Sequence, residues 1–210
     1  MIIPSREITA SGGIFFNKQL KMNESILKNF ERHISLDASE IEYVQSLLLS
    51  KKVKKNTVLL QTGDISRYIY FVEKGCLRMY NTDDKGQQHI VTFAPEGWWS
   101  VDLSSFYTGG PAFYTIDALE DTEVLFLSNE SVELLYEKVP KFERFFRIFF
   151  ANGLVLYQRR MTALISQSAE ERYFQFQKRY PGLEQRIAQK HIASYLGITP
   201  VFLSMLRKRL

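Results

Sequence analysis

Cysteine and histidine are scarce in this chain of 210 residues, which contains one cysteine and three histidines. The single Cys76 excludes a disulfide within the chain, and it also excludes an iron–sulfur cluster or zinc site built from several thiolates. His33, His89 and His191 are scattered, so they do not indicate a haem or metal site. We therefore expect a protein of a reducing compartment without a bound metal.

Long apolar runs are also absent, since none approaches the roughly 18–20 residues that cross a membrane. The N-terminus shows no basic segment followed by an apolar one, as a secretory signal peptide would. No spacing of nucleophile and base, phosphate-binding glycine loop or metal cluster indicates catalysis. These absences predict a cytoplasmic protein that is not an enzyme and does not contact a membrane.

Apolar and aromatic residues are plentiful, with 45% hydrophobic residues and 29 aromatic side chains, and predict a globular chain with a sizeable core. The net charge of +4 is unevenly distributed. Residues 1–150 carry −3, whereas residues 151–210 carry +7. A basic C-terminal part on an acidic body favours a polyanion as its partner.

The last 22 residues, 189–210, have the pattern of two short helices joined by a tight turn. Gly197 is a suitable helix stop, Thr199 is a natural N-cap and Pro200 suits the first helical position. The basic residues 207–209 end the second helix, where cations are favourable. This pattern predicts a helix-turn-helix, and the alternative is an ordinary helical hairpin that ends a domain.

The first half of the chain changes from helical to alternating periodicity. We interpret residues 1–21, which match no periodic pattern, as an extension, with disorder as one interpretation. Two short helices are predicted near residues 26–30 and at 37–48, the second capped by Asp37 or Ser39. Strands separated by glycine-containing turns then predict a β-barrel, roll or sandwich, at residues 57–61, 68–73, 76–81, 89–93, 98–100, 113–118 and 123–127.

A short helix capped by Ser128 precedes a long helix over residues 140–166. Apolar residues occupy two faces of the long helix, which favours packing on the β-domain by one face and on a partner helix by the other. The alternative is a long helix buried within one chain. The predicted dimer-helix residues are Phe142, Phe145, Phe146, Phe149 and Leu156.

Three segments in this order, 59–80, 94–127 and 187–208, resemble the Crp–Fnr family of bacterial transcription regulators. The resemblance implies an α+β fold with a cyclic-nucleotide-binding jelly roll, a long dimerisation helix and a C-terminal helix-turn-helix domain. It divides the chain into an extension (1–21), a β-roll with N-terminal helices (22–139), the dimerisation helix (140–166) and the DNA-binding domain (167–210). Double-stranded DNA, a second copy of the chain and RNA polymerase are the partners that it implies.

The effector positions depart from those of family members that bind cyclic nucleotides, which use a Gly-Glu step for the ribose and an arginine for the phosphate. The matching positions are Val101-Asp102 and Ala112, and Ala112 cannot pair a phosphate. We therefore expect no tight binding of cyclic AMP and no known cofactor, and an unidentified small molecule is the expected effector. The predicted effector pocket is Trp98, Trp99, Val101, Asp102, Leu103, Ala112 and Phe113. The alternative is that these aromatic side chains fill the core of the roll.

The predicted recognition helix also departs from the family, because Pro200, Val201 and Met205 occupy positions that read bases and cannot make bidentate contacts. The other predicted DNA-binding residues, which are candidates for phosphate or limited base contacts, are Lys190, His191, Thr199, Ser204, Arg207 and Lys208. Since the sequence ends at Leu210, we expect no final hairpin wing. Modest specificity for A·T-rich DNA is expected. The alternative function is a ligand-sensing or scaffold protein that acts through protein partners without sequence-specific DNA binding.

Overall fold

The computed structural model describes residues 24–209, and the predicted extension at residues 1–21 lies outside them. The domain boundaries stay a prediction. The helices are α1 (Glu24–Glu31), α2 (Ala38–Leu47), α3 (Leu103–Thr108), α4 (Asn129–Lys138), α5 (Lys141–Ser166), α6 (Ala169–Arg179), α7 (Gln189–Leu196) and α8 (Pro200–Arg209), with a 3₁₀ turn at Leu183–Gln185. The strands are β1 (Leu49–Val53), β2 (Val58–Leu60), β3 (Tyr68–Lys74), β4 (Leu77–Thr82), β5 (Gln88–Ala94), β6 (Trp99–Ser100), β7 (Thr115–Ala118) and β8 (Thr122–Ser128).

Eight strands form two four-stranded antiparallel sheets, in the orders β1-β8-β3-β6 and β2-β7-β4-β5. The seven predicted strands are all present with ends displaced by a few residues. Apolar side chains such as Val72, Leu77 and Ile116 form the core of the roll. The prediction of a β-roll within an α+β fold is therefore confirmed.

The sequence patterns did not predict β1 or α3. The sequence of β1, LSKKV, contains two lysines, and its strand conformation comes from pairing with β8, where Leu49 faces Phe126. In α3, Asp102 caps the start and Gly109 ends the helix in the left-handed conformation, with φ at +70°. A helix of six residues is too short to show helical periodicity in its sequence.

Helices α1, α2, α4 and the first half of α5 cover the sheet that contains β3 and β8. The prediction for α2 is confirmed, because Asp37 accepts from Glu40 N–H in a capping box. Phe142, Phe145 and Phe146 are only 0–2% exposed, because they pack on α1 and the roll. They therefore offer no surface to a partner, which corrects their assignment as dimer contacts.

Helices α6 to α8 form the head, defined as residues 168–209, and the head packs against the sheet that contains β5. The predicted caps of the head are present, since Ser168 makes a capping box with Glu171 at the start of α6. One apolar cluster joins Phe93 of the roll to Phe176 and Tyr195 of the head. Within residues 24–209, none of the helices has the length and apolar character needed to span a membrane.

Candidate effector cleft and nucleic-acid interface

Asp102 follows β6 and is 1% exposed. Its carboxylate accepts three backbone hydrogen bonds, from Ser105 N at 3.1 Å, Phe113 N at 2.8 Å and Tyr114 N at 3.0 Å. This carboxylate caps α3 and connects it by hydrogen bonds to the segment that precedes β7. Because a carboxylate already occupies the N-terminus of α3, a second anion is disfavoured there.

Ala112 is 3% exposed and its backbone is fully used by the roll. Its N–H donates to Asp64 O at 2.7 Å, and its carbonyl accepts from Gly63 N at 2.8 Å. The predicted neighbour Phe113 is 61% exposed. None of the three predicted pocket residues Asp102, Ala112 and Phe113 lines the cavity between the roll, α5 and the head.

The candidate effector cleft, called the effector cleft below, is a cavity of about 450 Å³ between the roll, α5 and the head. Four of the seven predicted pocket residues line it: Trp98, Trp99, Val101 and Leu103. Phe149 and Leu156, which were predicted as dimer contacts, line it as well. The cleft also includes residues that the sequence analysis missed, among them Arg32, Tyr157, Arg160, Arg179 and Tyr195. No local pattern marks this last group, because its members come from three different helices and the turn that follows α1.

The lining combines aromatic rings with guanidinium groups. Arg160 lies over the Tyr195 ring at 4.3 Å and Arg179 over the Trp98 ring at 5.1 Å. Such contacts hold an arginine in place and leave most of its N–H donors available. Burial raises the pKa of Tyr157 to about 12, so its phenol is neutral at physiological pH and can donate a hydrogen bond.

Helices α7 and α8 form the predicted helix-turn-helix. Gly197 ends α7 with φ at +68°, and Thr199 Oγ1 accepts from Phe202 N at 3.1 Å, as expected for an N-cap. Leu203 and Leu206 are buried. The remaining predicted DNA-binding residues of this unit, apart from His191, are exposed: Lys190, Pro200, Val201, Ser204, Met205, Arg207 and Lys208.

His191 is half-buried and faces the roll instead. Its Nδ1 lies 3.0 Å from an Arg78 guanidinium nitrogen, and two 2.7 Å hydrogen bonds hold the same guanidinium against Asp117. Burial, followed by repulsion from Arg78, lowers the pKa of His191 to about 4. The imidazole is therefore neutral at pH 7 and accepts a hydrogen bond from Arg78. In this arrangement His191 does not face a phosphate.

Ser194 provides a second polar link between the head and the roll. Its hydroxyl donates to Gln88 O at 2.8 Å and accepts from Ile90 N at 3.0 Å. Arg186 pairs with Glu96 and Glu120 at the edge of the same contact. We call the contacts of His191, Ser194 and Arg186 with the roll the roll–head interface. The sequence contains no periodic or capping signal for it, because its members are distant along the chain.

The second half of α5 exposes large apolar side chains. Leu154 is 60% exposed, Met161 65% and Ile165 81%, whereas Phe149 and Leu156 are half-buried. An exposed apolar row of this kind is typical of an interaction surface. It lies beyond the phenylalanines that the sequence analysis assigned to the partner.

Comparison with known proteins agrees with this architecture. The cyclic nucleotide-binding domain family matches residues 50–139. The chain is 26% identical over 189 residues to the fumarate and nitrate reduction regulatory protein of Vibrio cholerae, covering 83% of this chain and 74% of that protein. It is also 26% identical over 189 residues to regulatory protein HlyX of Actinobacillus pleuropneumoniae, covering 83% and 77%.

Among solved structures, FixK2 from Bradyrhizobium japonicum matches with a TM-score of 0.67 and 20% identity, over 78% of this chain and 84% of that one. The c-di-GMP responsive regulator CLP of Xanthomonas campestris matches with a TM-score of 0.67 and 14% identity, over 82% and 91%. These two similarities show the fold.

Proposed function

We infer a function from the premise that this chain belongs to the Crp–Fnr family of transcription regulators and is not an enzyme. We propose that it binds DNA as a homodimer and responds to a small molecule in the effector cleft. One observation carries the proposal. The cleft is lined by residues of the roll, of α5 and of the head, so an occupant contacts all three parts at once. A ligand that contacts all three can change the position of the head relative to the roll.

DNA binding is proposed for the exposed face of α7 and α8. The basic residues Arg207, Lys208 and Arg209 end α8 and are exposed, so they suit phosphate contacts. Val201 is 70% exposed near the start of α8 and can contact a thymine methyl but cannot donate a hydrogen bond to a base. We therefore expect modest specificity that favours A·T-rich DNA.

Dimerisation is proposed through the exposed apolar row of α5. Pairing this row with its copy would bury Met161 and Ile165. A two-fold dimer that reads successive major grooves must hold its two copies of α8 about 34 Å apart. RNA polymerase stays a prediction as a further partner.

The effector is proposed to be a small molecule other than cyclic AMP. Asp102 is enclosed by three backbone N–H groups, and Ala112 offers a methyl group where a cation would be needed. Burying a cyclic phosphate there without a cation would cost several kcal/mol. Micromolar affinity for cyclic AMP in a calorimetric titration would contradict this part of the proposal.

The DNA-binding proposal is tested by fluorescence anisotropy on labelled A·T-rich duplexes between 50 and 200 mM salt. The affinity should fall steeply with salt, in proportion to the number of phosphate contacts. Lys208→Gln should reduce the magnitude of the logarithmic salt slope by about 2, because a homodimer loses one phosphate contact from each copy of α8. Lys138→Gln, which removes an exposed charge from α4, should leave the slope unchanged.

A scaffold that acts through protein partners is the second candidate. The observation that favours it is the exposed apolar surface of α8, where Val201, Phe202 and Met205 are 43–70% exposed. No binding to any duplex at 50 mM salt would refute the DNA-binding proposal and support the scaffold.

A further inference from the structure

The formally charged side chains that line the effector cleft are all cationic. Its lining residues, all within the described part of the chain, include Arg32, Arg160 and Arg179 but no aspartate or glutamate. Arg160 and Arg179 form no ion pair among residues 24–209. Cations gathered in a partly enclosed cavity attract an anion more strongly than cations in open solvent.

Unpaired polar atoms concentrate in the same place. Arg160 Nε, Arg179 Nε and Ser100 Oγ are buried and have no hydrogen-bond partner among the described residues. All three residues line the cleft, and Ser100 is 3% exposed. Buried polar groups without a protein partner are rare in folded proteins and mark a place where a water, ion or ligand can bind. Two of these atoms belong to guanidinium groups, whose other N–H donors an anionic ligand in the cleft would contact.

The two arginines are held by one connected group of aromatic rings. Arg179 lies over Trp98 at 5.1 Å and over Tyr180 at 5.5 Å, while Arg160 lies over Tyr195 at 4.3 Å. The Tyr180 ring contacts the rings of both Trp98, at 5.4 Å, and Tyr195, at 5.7 Å. Trp98 and Tyr195 of this group line the cleft, so a ligand that reaches the guanidinium groups meets aromatic rings beside them.

We propose that the effector cleft binds an organic anion with a flat apolar body, and that Arg160 and Arg179 hold its acidic group. The inference rests on the proposed function and names the chemical class of the effector. The apolar body packs against the rings of Trp98, Trp99 and Phe149. This anion site differs in place from Ala112, where the cyclic nucleotide binders of the family carry their arginine.

The position of Arg160 connects this site to the head. Its guanidinium donates to Ile90 O of the roll at 2.9 Å and to Tyr195 O of the head at 2.8 Å. Arg179 belongs to α6, the first helix of the head. An acidic group on these two arginines therefore acts where α5, the roll and the head meet.

The test uses two fluorescent probes and the full chain. The anionic probe is 8-anilinonaphthalene-1-sulfonate, and the neutral control is N-phenyl-1-naphthylamine, which has the same rings without the sulfonate. The two tryptophans of the chain, Trp98 and Trp99, both line the cleft. Energy transfer from them reports that the probe is bound to the protein, and the loss of affinity in the cleft variant reports that it occupies the cleft.

Saturable binding of the sulfonate at one site, with quenching of tryptophan emission, is the expected result. Arg179→Gln should lower the affinity for the sulfonate probe at least about fivefold, because a charge-assisted contact is lost in a cleft that water still reaches. The affinity of the same variant for the neutral probe should stay within about twofold of the wild-type value, because no charged contact is lost. Lys178→Gln, which removes the neighbouring exposed charge outside the cleft, should change neither affinity.

Equal losses for the two probes in Arg179→Gln, or an unchanged affinity for the sulfonate, would overturn the proposal. Absence of sulfonate binding to the wild-type protein would also overturn it. DNA binding by the wild-type protein is measured separately and without a probe. A protein that binds the sulfonate as expected but binds no duplex would refute the proposed function and leave the anion site standing.

Discussion

Acidification should weaken the roll–head interface through one residue, His191. In the folded chain its imidazole accepts from Arg78 at 3.0 Å, and protonation would place two cations in contact. Burial and Arg78 together lower its pKa to about 4, against 6.5 for the free side chain. The folded state thus favours the neutral imidazole, and the unfolded chain binds more protons between pH 6.5 and pH 4.

The sign and size of the effect follow from proton linkage. Stability falls as the pH falls wherever the unfolded state binds more protons, so this contribution is fully present above pH 6.5 and lost toward pH 4. Each pH unit across the window contributes about 1.4 kcal/mol. Between pH 7.5 and pH 5.0, we expect a loss of about 1–2 kcal/mol from His191 alone, because solvent screens the repulsion at a half-buried imidazole.

The assay compares urea unfolding of the wild-type protein and His191→Gln at pH 7.5 and pH 5.0. Trp98 packs on Tyr180 of the head at 5.4 Å, so tryptophan emission reports the interface. Glutamine can accept from Arg78 but does not titrate, so His191→Gln should lose about 1–2 kcal/mol less than wild type between the two pH values. Carboxylates that titrate in both proteins cancel in this difference.

Ser194→Ala supplies the matched control, because it removes hydroxyl bonds to Gln88 and Ile90 from the same interface without removing a titrating group. It should lower stability by a similar amount, about 1–3 kcal/mol, at both pH values. The same pH dependence in wild type and His191→Gln would refute this role of His191, as would a wild-type protein that is more stable at pH 5.0 than at pH 7.5.

Three further predictions concern the roll and α5. Asp102→Ala leaves three N–H donors without their acceptor and should lower the free energy of unfolding by about 3–5 kcal/mol in urea titrations. Gly75 has φ at +92°, and a Cβ there would lie 2.5 Å from Thr122 Oγ1. Gly75→Ala should therefore lower the free energy of unfolding by more than about 2 kcal/mol. Ile165→Asp should shift the sedimentation of a dimer toward the monomer, because it charges a side chain that is 81% exposed on the apolar row.

The controls for these variants are matched in chemistry. Asp102→Asn keeps one acceptor and should lower the free energy of unfolding less than Asp102→Ala does. Equal losses of unfolding free energy in the two variants would contradict the role of the carboxylate. Gly63→Ala has a similar φ of +94° and open space around the Cβ, so it should cost only about 1 kcal/mol. Arg147→Asp on an exposed position of α5 should leave the sedimentation unchanged, and dissociation by both α5 variants would argue against the apolar row.

Much of the fold could be predicted because its signals are local. Thr199 and Gly197 delimit the helix-turn-helix through cap geometry, and Ser168 starts α6 through a capping box. Alternating apolar residues and glycine turns located seven of the eight strands. Each of these features depends on residues within a few positions of one another, so a single sequence is enough to show it.

The candidate site could be predicted only in part, since half of it is built from distant segments. Trp98 and Trp99 lie in the stretch that the resemblance marked, whereas Arg160 and Arg179 enter the cleft from α5 and α6. Asp102 was predicted in the pocket and instead caps α3, because three backbone N–H groups converge on it when the chain folds.

The sequence by itself determined the kinds of elements, their order and the basic character of the C-terminal part, because periodicity, caps and net charge depend on near neighbours. Only the tertiary structure decided which face of each element is buried. Phe142, Phe145 and Phe146 pack inside the chain rather than on a partner. His191 faces Arg78, which is 113 positions away, rather than a phosphate. A burial or hydrogen bond between such distant residues depends on how whole elements pack, and no local pattern encodes that packing.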